Sequence, residues 1–185
     1  MVKHLKKNPI ISAIKNDKGL KSCLESDCQV VFILYGDVCS IKDIVDKVKS
    51  AKKMAIVHID FITGLSNSEV VVDYLAQNTK LDGIISTKYN LLKAAKERDL
   101  IAIQRVFLID SISLTNLENK LKNNTKQVDF IEILPGVMPK ILKRLVHYVD
   151  VPIIAGGLII DEDDIEVSLE AGALAVSTTD EELWD

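Results

Sequence analysis

The chain has 185 residues, of which 48% are hydrophobic. This length and composition can bury one substantial core, so we expect a single domain over 1–185. The formal net charge of −4 argues against a strongly basic nucleic-acid module. The apolar runs are interrupted too early to form a membrane-spanning helix.

The first residues, 1–8, form a basic stretch that lacks the apolar segment of a secretory signal. We therefore expect a cytoplasmic protein in which 1–8 is a basic tail. The three cysteines are odd in number and not spaced as a metal knuckle, which indicates reduced thiols. The three histidines are scattered, so we expect no metal and no cofactor.

Charge is distributed unevenly along the chain. Residues 161–185 contain ten acidic residues and no lysine or arginine. The remaining 1–160 therefore carry 23 basic and 17 acidic residues, a surplus of six positive charges. Such a surface can face a polyanion such as RNA, but charge alone does not indicate one.

Short runs rich in β-forming residues alternate with segments of helical spacing, which is typical of parallel strands joined by crossover helices. A run such as Val30-Val31-Phe32-Ile33-Leu34 is continuously apolar, as expected for a strand covered on both faces. In chain order, the predicted strands are 10–14, 30–35, 55–60, 82–87, 101–109, 130–134, 152–158 and 173–177.

Eight such units predict an α/β protein that closes as a compact (β/α)8 barrel of the TIM type. The chain is shorter than the ~250 residues usual for this fold, so its loops must be minimal. A doubly wound open sheet is the alternative architecture. The glycine pair Gly156-Gly157 favours the barrel, because it follows the seventh strand and no dinucleotide fingerprint follows the first.

The last two predicted strands end in groups that suit an anion. Gly156 and Gly157 would let backbone N–H groups approach a phosphate, and Ser177 and Thr178 add hydroxyls from the next strand. A short helix over 180–184 would point its N-terminus at the same charge. The alternative is that the glycines turn the chain and that the hydroxyls cap a helix.

Other strand ends carry charged side chains in otherwise apolar surroundings. Asp60 ends the third strand, Lys88 follows the fourth, Arg105 lies in the fifth and Glu132 in the sixth. A buried charge is costly without a partner, so we expect Arg105 and Glu132 to contact each other, a ligand, or both. Cations suit a phosphate and carboxylates accept hydrogen bonds from hydroxyls, which predicts a small phosphorylated polyol as ligand.

His58, in the third predicted strand with Asp60, is a further polar strand-end residue. Asp60, Lys88 and His58 also have a purely structural interpretation. Asp60 can cap a turn, Lys88 can extend to the surface, and His58 can be a core histidine whose hydrogen bonds are satisfied.

A basic stripe is predicted on a helix over 139–148. Lys140, Lys143, Arg144 and His147 recur at helical spacing on the side opposite the apolar positions. A solvated helix face is the ordinary interpretation of this pattern, and contact with an RNA backbone is the alternative hypothesis.

Several phrases together resemble the glycerol-3-phosphate-responsive antiterminators, the regulators of glycerol-uptake operons. The resemblance runs from about Pro9 to Trp184. It is carried by Gly36-Asp37, Val57-His58-Ile59-Asp60, Gly64-Leu65-Ser66, Asp82-Gly83-Ile84-Ile85-Ser86-Thr87-Lys88, Ile103-Gln104-Arg105, Leu108-Ile109-Asp110-Ser111, Ile131-Glu132-Ile133-Leu134-Pro135-Gly136, Pro139-Lys140 and Ile154-Ala155-Gly156-Gly157-Leu158.

The resemblance implies a non-catalytic sensor of glycerol 3-phosphate. Such a protein acts on the leader mRNA of a glycerol-catabolism operon and lets transcription pass a terminator. A homodimer is a further expectation, because two binding faces increase affinity. Two other classes stay open: a phosphate-binding barrel isomerase or synthase using Asp60, Lys88 and Glu132 as acid–base groups, and a scaffold without a ligand.

Overall fold

The computed structural model describes residues 1–124 and 128–185, with side chains described up to Asn119 in the first range. The strands are β1 (Ile10–Ile14), β2 (Val30–Ile33), β3 (Met54–His58), β4 (Gly83–Ser86), β5 (Ile101–Phe107), β6 (Phe130–Leu134), β7 (Ile153–Gly156) and β8 (Ala175–Thr178). The helices are α1 (Val2–Leu5), α2 (Asp17–Glu25), α3 (Ile41–Ser50), α4 (Val70–Asn78), α5 (Tyr89–Lys96), α6 (Ser111–Asn124), α7 (Pro139–Val146) and α8 (Glu162–Glu170).

The strands form a closed parallel barrel. Each strand pairs with its neighbours in chain order, and β8 returns to pair with β1 through contacts such as Ser177 opposite Ile11. The predicted (β/α)8 barrel is therefore confirmed, and the open-sheet alternative is wrong. Closure leaves no free sheet edge, so every strand finds hydrogen-bonding partners on both sides.

Several predicted strands were too long at their carboxyl ends. The run 30–35 ends as a strand at Ile33, 55–60 ends at His58, and 101–109 ends at Phe107. At these points the chain leaves the ladder for the rim of the barrel, and after β3 it forms a 3-10 helix, Ile59–Phe61. Past the strands, Ile59 and Leu108 remain buried, whereas Ile109 is 87% exposed.

The helices cover the outside of the barrel with one apolar face each, as α3 illustrates. Its residues at helical spacing, Ile41, Ile44, Val45 and Val48, are all buried against the strands. The connections are short. The side chain of Asn16 caps α2 by accepting from the Gly19 N–H, and Asp161 caps α8 in the same way.

The segment 1–8, expected to be a basic tail, contains α1. Leu5 is only 1% exposed and packs into the inner column of the barrel, which includes Ile11, Val30 and Phe32. Because α1 precedes β1, Leu5 lies at the amino ends of the strands. The neighbouring Lys3, Lys6 and Lys7 are exposed, so the segment combines a charged surface with one apolar anchor.

The interior of the barrel changes from apolar to polar toward the carboxyl ends of the strands. Ile56, Ile103 and Phe130 face the inner column, whereas their neighbours Val57 and Ile131 face the helices. Side chains two residues apart on a strand share a face. The next inward layer therefore contains His58, Arg105, Glu132, Gly156 and Ser177, which we call the polar layer.

No helix in the described ranges is both long and apolar enough to cross a membrane.

Candidate functional site at the mouth of the barrel

Arg105 and Glu132 form the centre of the polar layer. They lie opposite each other in the register of β5 and β6, and Arg105 Nη1 is 3.6 Å from Glu132 Oε2. Ser177 Oγ donates a hydrogen bond to Glu132 Oε1 at 2.7 Å. The expected contact between Arg105 and Glu132 is confirmed, and Ser177 joins it from β8 across the intervening β7.

Gly156 makes this arrangement possible. A Cβ atom at this position would lie 2.6 Å from Ser177 Oγ and 2.7 Å from Glu132 Oε1, distances that side chains cannot occupy without moving. Gly136 approaches the same backbone, since a Cβ there would be 2.8 Å from the nitrogen of Gly156. The glycines thus admit the buried carboxylate and its hydroxyl partner between β6, β7 and β8.

A cavity of about 100 Å³ opens above this pair. Its polar wall includes Arg105, Glu132, Ser177, Thr178 and Thr179. Its other walls include Ala13, Phe32, Leu34, Leu134 and the loop residues Gly157, Leu158 and Ile159. The cavity therefore joins charged, hydroxyl and apolar surfaces at the carboxyl ends of the strands, where barrel sites form.

The loop after β7 lines the cavity with Gly157, Leu158 and Ile159. Gly157 and Leu158 both adopt positive φ angles, +75° and +61°. Within the described chain, no hydrogen bond uses the N–H groups of Leu158, Ile159 or Thr179. The hydroxyl of Thr178 donates to the carbonyl of Ile159 at 3.2 Å, which ties this loop to β8. Free N–H groups in such a loop are suited to an anion.

The guanidinium of Arg105 is flanked by two phenyl rings. Its central carbon is 5.6 Å from the ring centre of Phe61 and 5.2 Å from that of Phe107. Cation–π contacts of this length are attractive and restrict the orientation of the cation. Both phenylalanines are about half exposed, and neither is among the site residues predicted from the sequence.

Asp60 and Lys88 form a separate cluster between β3 and β4. Asp60 accepts hydrogen bonds from Ser86 Oγ at 3.0 Å and from the Thr87 N–H at 2.9 Å. Lys88 Nζ lies 3.4 Å from Asp60 Oδ1 and also contacts Asn67. Burial would raise the pKa of Asp60, but these hydrogen bonds and the neighbouring positive charges lower it overall. Neither residue lines the cavity.

His58 lies between the two clusters. Its Nδ1 is 4.0 Å from Asp60 Oδ2, and its ring meets that of Phe61 edge to face with 4.5 Å between centres. Burial and the charge of Arg105 lower the pKa of His58 to about 4, so the imidazole is neutral at pH 7. The sequence left two interpretations of His58 open, a polar strand-end residue of the mouth or a core histidine with satisfied hydrogen bonds. The second does not hold, because both ring nitrogens lack a hydrogen-bond partner among the described residues.

Glu132 is 2% exposed. Burial raises the pKa of its carboxyl group, while the charge of Arg105 and the hydrogen bond from Ser177 act in the opposite direction. The pKa is raised overall because removing a carboxylate from water costs more free energy than these two contacts contribute. The group is therefore easier to protonate than an ordinary glutamate.

The expected short helix near the C-terminus exists as a 3-10 helix, Glu181–Leu183, and its residues do not line the cavity. The Glu182 N–H donates to the side chain of Asp180, so the first turn is already capped. Trp184 is buried, and its Nε1 donates to the carbonyl of Thr178 at 3.0 Å. This segment supports the end of β8 from outside the cavity.

The predicted basic stripe is only partly available for binding. Arg144 makes two hydrogen bonds with Glu118 on α6, at 2.6 and 3.0 Å, and His147 lies past the end of α7, with Nδ1 2.7 Å from the Lys143 carbonyl oxygen. Lys140 and Lys143 are exposed on α7. The adjacent helix α8 is acidic, so the surface around the stripe is of mixed charge.

Comparison with known proteins identifies relatives over almost the full chain. Residues 10–184 match the family described as glycerol-3-phosphate responsive antiterminator. The uncharacterized protein YgcP of Escherichia coli strain K12 is 43% identical over 180 residues, covering 97% of this chain and 93% of YgcP.

Two solved structures are similar as well. A glycerol uptake operon antiterminator regulatory protein from Listeria monocytogenes superposes with a TM-score of 0.90 at 33% identity, covering 96% of this chain and 95% of that one. A glycerol uptake operon antiterminator-related protein from Thermotoga maritima gives 0.80 at 28% identity, with 95% and 96% covered. The chain therefore belongs to the glycerol-3-phosphate responsive antiterminator family.

Proposed function

We propose that this protein is a regulator of transcription that binds glycerol 3-phosphate in the cavity at the mouth of its barrel. The observation that carries the proposal is the polar layer below that cavity, where Arg105, Glu132 and Ser177 meet. A phosphorylated polyol needs a cation for its phosphate and hydrogen-bonding groups for its hydroxyls, and these residues supply both. Family membership indicates which phosphorylated polyol to test first.

The phosphate group is proposed to bind on the side of β7 and β8. The N–H groups of Leu158, Ile159 and Thr179 are free to donate there, and Arg105 lines the same cavity. Phosphate sites built from the loops after the seventh and eighth strands are common in this fold. Asp60 and Lys88 would act at a distance, by shaping the rim and adding a positive charge near the entrance.

The ligand-loaded protein is proposed to act on the leader mRNA of a glycerol-catabolism operon, in the cytoplasm. Lys140 and Lys143 are candidate contacts to the RNA backbone, whereas Arg144 is engaged with Glu118. If ligand increases the affinity for RNA, RNA must increase the affinity for ligand by the same factor. This reciprocity gives the regulatory proposal a direct test.

The binding test is calorimetric titration of the purified protein with glycerol 3-phosphate, with glycerol and inorganic phosphate as separate probes. Saturable binding that needs both halves of the ligand is expected. Arg105→Lys should weaken binding by roughly tenfold or more, because an ammonium group cannot reproduce the held guanidinium. Lys93→Ala, an exposed charge on α5, is the matched control and should bind as the wild type does.

The regulatory test measures leader-RNA affinity with and without saturating glycerol 3-phosphate. Tighter RNA binding in the presence of ligand is expected, together with terminator read-through in a purified transcription reaction. RNA affinity that is the same with and without ligand would contradict the coupling. A wild-type protein that binds no glycerol 3-phosphate at millimolar concentration would remove the basis of the whole proposal.

An enzyme acting on a phosphorylated metabolite is the second candidate function. The raised pKa of the buried Glu132, with His58 in the same layer, is an arrangement that acid–base catalysts also use. Phosphorus NMR of the titrated mixture distinguishes the two functions. An unchanged ligand spectrum over hours supports the sensor, and a new phosphorylated product would favour the enzyme.

A further inference from the structure

Four buried side-chain atoms in the described part of the chain have no hydrogen-bond partner, and they belong to three residues of the polar layer. They are His58 Nδ1, His58 Nε2, Arg105 Nε and Glu132 Oε2. Buried polar atoms are normally satisfied, and leaving one unsatisfied is costly. Four such atoms in one layer of one barrel indicate that something outside the protein completes their hydrogen bonds.

The three residues face the barrel interior from three strands. His58 on β3, Arg105 on β5 and Glu132 on β6 each lie two residues beyond an inward-facing apolar residue, so all three face the barrel interior. Phe61 contacts both the His58 ring and the Arg105 guanidinium. Arg105 in turn pairs with Glu132. Arg105 and Glu132 line the cavity, and His58 adjoins them through Phe61 on the β3 side without lining the cavity itself.

The chemistry of the four atoms defines what would satisfy them. A neutral imidazole offers one donor and one acceptor, and Arg105 Nε offers a donor. Glu132 Oε2 is an acceptor when ionised and a donor when protonated. A phosphate oxygen only accepts, and its charge would oppose the neighbouring carboxyl group. A hydroxyl group donates and accepts, so two adjacent hydroxyls match this set.

We propose that His58, Arg105 Nε and Glu132 Oε2 form a hydroxyl subsite that recognises the polyol part of the ligand, with His58 as a specificity-determining residue. The subsite rests on the proposed function, because it assumes that a phosphorylated polyol binds at this mouth. In this proposal the loops after β7 and β8 hold the phosphate. The subsite distinguishes a ligand whose carbon chain carries hydroxyls from one whose carbon chain has none.

The test compares three probes in calorimetric titrations: glycerol 3-phosphate, n-propyl phosphate and inorganic phosphate. Propyl phosphate has the same three-carbon length without the hydroxyls. The wild type should bind glycerol 3-phosphate roughly tenfold to a hundredfold more tightly than propyl phosphate. His58→Phe keeps an aromatic ring against Phe61 but removes both nitrogens, so it should lose most of that preference while keeping its affinity for propyl phosphate.

His4→Phe is the matched control, because His4 is exposed on α1 at the opposite end of the barrel. It should keep the wild-type preference. His58→Phe that retains the full preference for glycerol 3-phosphate would overturn the subsite and leave the proposed function intact. Equal binding of glycerol 3-phosphate and propyl phosphate by the wild type would do the same, and would leave ordered water as the partner of these atoms.

A second measurement needs no variant of the site. In protein labelled with nitrogen-15 at histidine, the ring signals of His58 should shift on saturation with glycerol 3-phosphate, because new hydrogen bonds change the nitrogen environment. Inorganic phosphate at saturation should leave those signals in place. If the His58 signals do not shift when glycerol 3-phosphate is added, the subsite is overturned. Heat released on binding in the calorimeter would still support the proposed function.

Discussion

At the scale of single residues, spacing along the strands predicted which polar groups face inward but not all of their contacts. The contact between Arg105 and Glu132 follows from two charges placed in neighbouring apolar strands, and the structure confirms it. The role of Gly156 differs from expectation. It faces the buried Glu132 and Ser177. A glycine is therefore needed here because a larger side chain would collide with these two residues.

Substituting Gly156 tests this packing. Gly156→Ala places a methyl group within 2.7 Å of Glu132 Oε1, so we expect a loss of about 1–3 kcal/mol in the free energy of unfolding and weaker ligand binding. Urea unfolding measures the first effect and calorimetry the second. Gly19→Ala is the control, because the new methyl group meets nothing closer than 3.6 Å. Unchanged stability of Gly156→Ala would contradict the argument.

The low pKa of His58 predicts a pH-dependent stability. The folded protein resists protonation of His58 until about pH 4, whereas the unfolded chain takes up the proton near 6.5. As the pH falls through this window the unfolded state binds more protons, so the free energy of unfolding decreases. The expected loss from this one group is about 2 kcal/mol at pH 5 relative to neutral pH.

Comparing the wild type with His58→Phe isolates this contribution, since all other titrating groups are shared. Urea unfolding of both proteins at pH 5 and pH 8 should show the variant gaining stability relative to the wild type at the lower pH. A stability difference that is independent of pH would mean that His58 titrates normally in the folded protein.

At the scale of elements, the hydrophobic periodicity located the strands and the covering helices, but elements with little periodicity were misjudged. The helix α1 has four residues and one buried side chain, Leu5, too few to produce a pattern. The predicted anion-facing helix near residue 181 is instead fixed by Asp180 and Trp184. In both cases one buried side chain, Leu5 or Trp184, anchors the segment.

Leu5 should contribute measurably to stability. Leu5→Ala leaves a cavity at the amino end of the inner column, where the surrounding strands cannot collapse, so we expect a loss of about 2–4 kcal/mol in the free energy of unfolding. Val2→Ala, at an exposed position of the same helix, should change it by less than about 0.5 kcal/mol. If chemical denaturation gave equal effects for Leu5→Ala and Val2→Ala, the packing of Leu5 would not contribute to stability, as expected for a free tail.

The helix α7 gives a prediction for RNA. Replacing Lys140 and Lys143 with alanine should weaken leader-RNA binding and reduce its salt dependence by roughly one to two phosphate contacts. Arg144→Ala should mainly lower stability, because that side chain is held by Glu118. Filter binding across a salt series separates the effects. A double lysine variant with an unaltered salt slope would exclude α7 from the RNA contact.

At the scale of the whole molecule, ligand binding at the mouth should stabilise the barrel, because the proposed site joins β5, β6, β7 and β8. At a concentration one hundred times the Kd, glycerol 3-phosphate should add about 2.7 kcal/mol to the free energy of unfolding. For a chain of this size that raises the Tm by roughly 5–10 °C. Thermal denaturation with glycerol as the control measures it, and an unchanged Tm at that concentration would contradict binding to the folded state.

The fold could be predicted almost completely from the sequence because a parallel barrel repeats one local unit. Each unit needs only a buried strand, a turn and an amphipathic helix, and each of these leaves a pattern in the residues. The boundaries at the carboxyl ends of the strands could not be predicted as well. Rim segments such as 108–109 and 158–160 remain apolar after the ladder has ended.

What the sequence determined by itself is the alternation of strands and helices, the polar character of the barrel mouth and the family to which the chain belongs. What the tertiary structure decided is which of those polar groups meet. It joined Arg105, Glu132 and Ser177, and it paired Asp60 with Lys88 beside them. It left the nitrogens of His58 without hydrogen-bond partners among the described residues. Local patterns fix the direction of a side chain on its strand, whereas contacts across the barrel depend on closure and register.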